Sequence, residues 1–168
     1  MKKIFYGMMF VVILITMSSC SADTADGKAD DATTAEALTS NYTYNPSELE
    51  LIQRINDYRV SVGLNALERI NFISNKCEQH NEYMIANNVA DHNDFMSRSE
   101  SIMKALSAKK VGENVARNYK TSEAALKAWL DSPGHKKNIE GDFTHFGISV
   151  STDSATGYKY YTNIFAKI

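Results

Sequence analysis

Residues 146–168 read FGISVSTDSATGYKYYTNIFAKI, and this stretch decides the fold class. The apolar residues of its first part, Phe146, Ile148 and Val150, alternate with small polar ones, which is the period of a half-buried β-strand. The last eleven residues alternate in the same way and are rich in aromatic and β-branched side chains. The loop between the two parts, residues 152–157, fits an antiparallel hairpin. We therefore predict two paired strands at this end of the chain.

The preceding part of the chain has mostly helical periodicity. Residues 45–48, with the sequence NPSE, predict a helix start with an asparagine cap, a proline in the first turn and a glutamate at the third position. The apolar residues that follow at helical spacing are Leu49, Ile52, Ile55 and Tyr58. Further helices are predicted around residues 70–87, 98–108 and 121–132, with another strand over 111–116. Helices first and strands late indicate an α+β fold with an antiparallel sheet.

The N-terminal end predicts export and lipidation. Lys2 and Lys3 precede an apolar run of 12 residues, whereas a membrane-spanning helix needs about 20. The run ends in MSSC at residues 17–20, which resembles the lipobox of bacterial lipoproteins, although Met17 stands where leucine is commonest. We predict a lipoprotein signal peptide over residues 1–19 and a lipid anchor on Cys20. The alternative is ordinary signal cleavage nearby, with an incidental cysteine.

Composition divides the rest of the chain into two parts. Residues 20–44 are polar and acidic, which predicts a lipidated N-terminus followed by a disordered tether. Residues 45–168 have the composition of one folded domain, with 15 basic and 15 acidic side chains. This neutral domain has no basic stripe, so nucleic acid is not an expected partner. The expected location is the cell envelope, with the domain exported and held on a membrane through lipid at Cys20.

Three side chains are candidates for a functional site. His92 and His135 lie in predicted loops, where side chains are free of core packing and can face a cleft. Glu113 lies between two valines in a predicted strand, and a buried carboxylate needs a partner. His80 follows the apolar face of a helix and is predicted to be a hydrogen-bonded core residue. His145, at the start of a strand, is predicted to lie at the rim.

Several motifs occur in order along the domain. They are NDYR at residues 56–59, GENVA at 112–116, AWLDSPGHKKNI at 128–139 and FTHFGI at 143–148. Together with the position of His92, their order and spacing resemble the CAP superfamily, which comprises cysteine-rich secretory proteins, antigen 5 and pathogenesis-related 1 proteins. The resemblance is to its bacterial branch and covers the whole predicted domain.

The resemblance implies a three-layer α-β-α sandwich with a central groove, where related proteins often bind a divalent metal, zinc most often. His92, Glu113 and His135 match positions of that groove, and two imidazoles with one carboxylate suit zinc with an open position. The chain departs from the eukaryotic pattern, because Ser132 stands where a second glutamate is expected and Asp142 where a histidine is. The resemblance then implies that His135 takes the role of the missing histidine.

Three classes of function remain open for such a domain. The first is a non-catalytic binding module whose cleft holds a lipid, glycan or peptide ligand. The second is a zinc-dependent hydrolase of peptide or ester bonds, in which Glu113 would be the general base. The third is a structural surface protein with a vestigial cleft. The sequence contains neither a His-Glu-x-x-His helix nor a Gly-x-Ser-x-Gly elbow, so binding is favoured and enzymatic activity stays uncertain.

Overall fold

The computed structural model describes residues 34, 35, 37 and 39–168. The predicted signal peptide, residues 1–19, and the predicted lipidation site, Cys20, lie outside these residues. Within the described part of the chain, no helix has both the length and the apolar character needed to cross a membrane. The elements, in chain order, are α1 (Pro46–Ser61), β1 (Glu68–Arg69), α2 (Asn71–Asn87), α3 (Phe95–Leu106), β2 (Lys110–Arg117), α4 (Ser122–Asp131), α5 (Pro133–Ile139), β3 (His145–Thr152) and β4 (Lys159–Lys167).

Helix α1 begins where the sequence predicted, but it buries a different face. Asn45 and Glu48 form a capping box, in which each side chain accepts from the other residue's backbone N–H, at 3.1 and 2.8 Å. The predicted apolar face included Leu49, which is 45% exposed, whereas Leu51 is fully buried. The difference arises because Glu48 also accepts from the backbone N–H of Val150 at 2.8 Å, which holds this polar residue on the inner face.

The strands form one sheet in the order β1-β3-β4-β2. The predicted hairpin of β3 and β4 is confirmed, with Phe146 opposite Phe165, and β2 pairs antiparallel to β4. The three long strands thus form the predicted antiparallel sheet, and the two-residue strand β1, which was not predicted, adds to it parallel to β3. The Asn56 side chain positions this short strand by donating to the Leu67 carbonyl and accepting from the Leu67 N–H.

Helices cover both faces of the sheet, which confirms the three-layer α-β-α sandwich. On one face, α1 packs against β3, and α4 and α5 pack against β2; the main buried residues are Leu51, Ile55, Leu126, Trp129, Ile139, Phe146, Ile148, Tyr161 and Phe165. On the other face, α2 packs against β3 and β4, and α3 packs against β2; the main buried residues are Phe72, Ile73, Cys77, Ile102, Ile164 and Ala166. The approach of α2 is close, because Gly147 of β3 lies directly against its backbone.

Residues 39–44, called the N-terminal strap below, lie on the domain. The Tyr42 hydroxyl donates to the Glu48 carboxylate at 2.8 Å, and a hydrogen bond of 2.9 Å joins the hydroxyls of Tyr44 and Ser74. Burial raises the pKa of the Tyr42 hydroxyl, so it stays a donor at neutral pH. The predicted disordered tether, residues 20–44, therefore does not extend through the strap, whose tyrosines fill polar sites between α1, α2 and β3.

Candidate functional site

Glu113 is the centre of the candidate site. It lies on the edge strand β2, and its side chain is 1% exposed. Its carboxylate accepts four hydrogen bonds: Oε1 accepts from His92 Nδ1 at 2.8 Å and from Arg98 Nη2 at 3.0 Å, and Oε2 accepts from Arg98 Nε at 3.0 Å and Nη2 at 2.8 Å. The buried carboxylate is thus fully paired, as its burial requires.

Arg98 is the partner that the sequence reasoning missed. It lies on α3, one turn before the buried Ile102, so both side chains face the sheet. Its guanidinium contacts both oxygens of Glu113, and its Nη1 also donates to the Asn93 carbonyl at 2.7 Å. A signal for it existed, because a buried carboxylate favours a cation and Arg98 stands at helical spacing from an apolar position.

His92 takes the predicted place beside Glu113. It lies in the loop between α2 and α3, with its side chain 49% exposed, and its Nδ1–H donates to the carboxylate. In a neutral imidazole this hydrogen bond leaves Nε2 without a proton. The prediction that His80 is a core residue is confirmed, since it is buried and its Nε2 donates to the Asp91 carbonyl at 2.8 Å. His80 therefore fixes the start of the loop that carries His92.

His135 lies near this pair without bonding to it. It is on the short helix α5, and its carbonyl accepts from the Asn114 side chain at 3.0 Å. Burial and, second, the neighbouring His92 lower the pKa of the His135 imidazole, which favours its neutral form. Its Nδ1 is buried and has no hydrogen-bond partner among the described residues. The structure thus joins two of the three predicted site residues, His92 and Glu113, by a hydrogen bond, and leaves His135 outside that pair.

Side chains from α4 and α5 close the outer edge of β2. Trp129 Nε1 donates to the Val115 carbonyl at 2.9 Å, and Asn138 Nδ2 donates to the Glu113 carbonyl at 3.0 Å. These bonds satisfy carbonyls that an edge strand would otherwise expose. They also explain the motif at residues 128–139, because Trp129 and Asn138 hold α4 and α5 against β2, and α5 carries His135. The prediction that Trp129 is a core residue is confirmed by its 1% exposure.

A cavity of about 360 Å³, called the edge cleft below, opens between these helices and β2. Its walls are mainly apolar, with Arg117, Tyr119, Ser132 and His135 as polar members. The Arg117 guanidinium lies 5.2 Å from the ring centre of Tyr158 and hydrogen-bonds Asn88, so its position is fixed. The lining residues are Ala90, Val115, Ala116, Arg117, Tyr119, Ala128, Trp129, Ser132 and His135.

The predicted three-ligand zinc site does not fit this geometry. Among the described residues, no group of three His, Cys, Asp or Glu side chains is arranged to hold a metal ion. The physical reason is the donor set, since both oxygens of Glu113 already accept from Arg98, and His135 is not part of the hydrogen-bonded pair. His92, Glu113 and His135 therefore share a neighbourhood without forming a coordination site.

This chain is similar to known proteins both in sequence and in fold. Two proteins of Bacillus subtilis (strain 168), the uncharacterized protein YkwD and the uncharacterized membrane protein YlbC, are each 33% identical over 125 residues, or 72% of this chain. The aligned part spans 47% and 34% of these two relatives, so it covers less than half of either.

The fold is similar to that of several solved structures. An outer surface protein of Borrelia burgdorferi matches 77% of this chain and 98% of its own, with a TM-score of 0.65 and 19% identity. An extracellular protein of Bacillus anthracis that contains an SCP domain matches 76% of this chain and 45% of its own, with a TM-score of 0.63 and 22% identity. At these identities the similarity is one of fold.

The sequence of this chain also matches a protein-family model. The model of the cysteine-rich secretory protein family, CAP, covers residues 52–165, which include the four motifs that carry the resemblance and all three candidate site residues. The chain therefore belongs to the CAP, or cysteine-rich secretory protein, family.

Proposed function

We propose that this protein is a non-catalytic binding module of the cell envelope, whose edge cleft holds a lipid, glycan or peptide ligand. The observation that carries the proposal is the cleft itself, about 360 Å³ of mainly apolar wall with a few polar groups. Small-molecule sites in proteins have this combination of apolar walls and few oriented polar groups.

The polar members of the cleft indicate what the ligand should contain. His135 lines the cleft, and because burial lowers the pKa of its imidazole, the neutral ring can both donate and accept hydrogen bonds. Arg117 supplies a fixed positive charge, and Tyr119 supplies an aromatic ring. A suitable ligand therefore has an apolar part and a hydrogen-bonding or anionic group.

The zinc-dependent hydrolase has less support from the geometry. A general base must offer a free lone pair to water, and both carboxylate oxygens of Glu113 are engaged by Arg98 and His92. The vestigial-cleft alternative predicts the same fold with no ligand, so a search for a bound molecule separates it from the binding proposal.

The test compares the small molecules that co-purify with the wild-type full chain and with a variant whose edge cleft is filled. Ala90 is exposed and lines the cleft, so Ala90→Trp should fill the cavity without disturbing the core; Ala86→Trp, exposed on α2 outside the cleft, is the matched control. We expect mass spectrometry of organic and aqueous extracts to find a compound enriched in wild type and Ala86→Trp and absent from Ala90→Trp. Identical extracts from all three proteins would reject the proposal.

Lipid anchoring at Cys20 is proposed as the means of localisation. The support is the short apolar run, the small residues before Cys20 and the formal neutrality of residues 45–168, which gives the domain no electrostatic attraction to an anionic membrane. Cys20→Ala should move the protein from the membrane to the soluble fraction, with Cys77→Ala as the control that stays membrane-bound. A Cys20→Ala protein that remained fully on the membrane would contradict the anchor.

A further inference from the structure

We propose that the Arg98 guanidinium is a built-in cation that takes the place of a divalent metal beside Glu113, so that the site formed by His92, Arg98 and Glu113 needs no metal. The inference rests on the geometry of Arg98, Glu113 and His92 and is independent of which ligand the edge cleft holds. It concerns how this chain differs from the zinc site that its motifs suggested.

The first step is the number of lone pairs. A carboxylate offers about four hydrogen-bonding positions, two on each oxygen. The Glu113 carboxylate receives four hydrogen bonds from two side chains, at 2.8 to 3.0 Å, and three of the four come from the largely buried Arg98. Zinc would need one of these lone pairs at about 2.0–2.2 Å. Binding would therefore require Arg98 or His92 to give up a hydrogen bond to Glu113.

The second step is charge. Arginine keeps its positive charge throughout the pH range of protein function, and a paired guanidinium and carboxylate leave no net negative charge to attract a cation. The Arg98 side chain is 11% exposed and the Glu113 side chain 1%, so solvent weakens their interaction little. A metal ion at Glu113 would lie within a few ångströms of a second cation that cannot lose its proton.

The third step is the anchoring of Arg98. Its Nη1 donates to the Asn93 carbonyl at 2.7 Å, in the loop that also carries His92. The guanidinium therefore ties the His92 loop to β2, which is the structural task that a shared metal ion would perform. Arg98 is thus a positioning residue for His92.

The experiment is a titration of the purified full chain with Zn²⁺, followed by calorimetry. Wild type should show no one-to-one site that depends on Glu113. Arg98→Met frees the carboxylate beside two imidazoles and should raise zinc affinity at least tenfold, and Arg98→Met/Glu113→Gln should lose that gain. Arg54→Met, which removes an exposed arginine from α1, is the matched control and should behave as wild type.

Two results would overturn the inference. One is a wild-type protein that binds one zinc and loses it in Glu113→Gln, because Arg98 would then not exclude the metal. The other is an Arg98→Met protein that is folded, as judged by Trp129 fluorescence, and gains no zinc affinity. The wild-type titration stands even if Arg98→Met does not fold, so the inference can fail on the unaltered chain.

Discussion

Replacement of Arg59 by methionine should destabilise the domain strongly. Arg59 lies near the end of α1 and is fully buried. Its guanidinium makes four hydrogen bonds: to the Ile139 carbonyl at 2.6 Å, the Gly141 carbonyl at 3.0 Å, and the backbone and side-chain oxygens of Asn65 at 2.8 and 3.2 Å. Through them it joins α1 to the turn after α5.

The size of the destabilisation follows from the carbonyl groups that lose their hydrogen-bond donor. Arg59→Met keeps most of the apolar stem but leaves the Ile139 and Gly141 carbonyls without a donor, at about 1–3 kcal/mol for each unsatisfied group. Part of this loss is offset, because burial lowers the pKa of the Arg59 guanidinium and its desolvation cost disappears with it. We expect the free energy of unfolding to fall by about 3 kcal/mol, out of a typical total of about 5–15 kcal/mol.

Urea unfolding measures this change through the fluorescence of Trp129, the chain's single tryptophan, which lies in the core that α1 covers. For a slope near 2 kcal/mol per molar urea, the midpoint should fall by about 1.5 M. Arg59→Lys keeps the charge but not the planar fork, so its midpoint should lie between those of wild type and Arg59→Met. A loss below about 1 kcal/mol for Arg59→Met would refute the reasoning, because the four bonds would then contribute no more than surface contacts.

Three further predictions follow from buried groups. Burial lowers the pKa of His80 and His135, so the folded state favours neutral imidazoles. Urea titrations at several pH values should therefore show a free energy of unfolding that is constant above about pH 6.5 and decreases as the pH falls below it. The decrease should be weaker in His135→Gln. Burial shields the Cys77 thiol and raises its pKa, so that with Cys20 acylated a thiol reagent should label nothing in the native protein and one thiol after unfolding. Labelling of two thiols would contradict acylation. Gly147→Ala would place a methyl group 2.4 Å from an α2 backbone nitrogen, so the melting temperature should fall by about 10 °C. An unchanged melting temperature would show that α2 can shift at little cost.

The sequence predicted those parts of the fold that local chemistry decides. The cap at Asn45 defined the start of α1, and the alternation from Phe146 onward defined the hairpin. The helix predicted over residues 121–132 is α4, which Thr121 caps by accepting from the Ala124 N–H. The parallel strand β1 could not be predicted, because two residues carry no periodicity and its position depends on Asn56, eleven residues before Leu67.

The candidate site was predictable in its residues and only partly in its contacts. The burial of Glu113 in an apolar strand and the loop position of His92 were enough to bring the two together. Arg98 was missed because its pairing depends on how α3 packs over β2, which spacing along the chain does not reveal. His135 lies close by for a different reason, since Asn114 and Asn138 fix its helix through backbone carbonyls.

The N-terminal strap has a mechanical consequence for the proposed lipid anchor, which would hold the chain by its N-terminus. A force that arrives along the chain meets Tyr42 and Tyr44 before it reaches the first turn of α1. Their hydroxyls pass the force to Glu48 and Ser74, and from there to the N–H groups of β3. The central sheet therefore shares the tension with α1, so that the load does not fall on the cap of that helix alone.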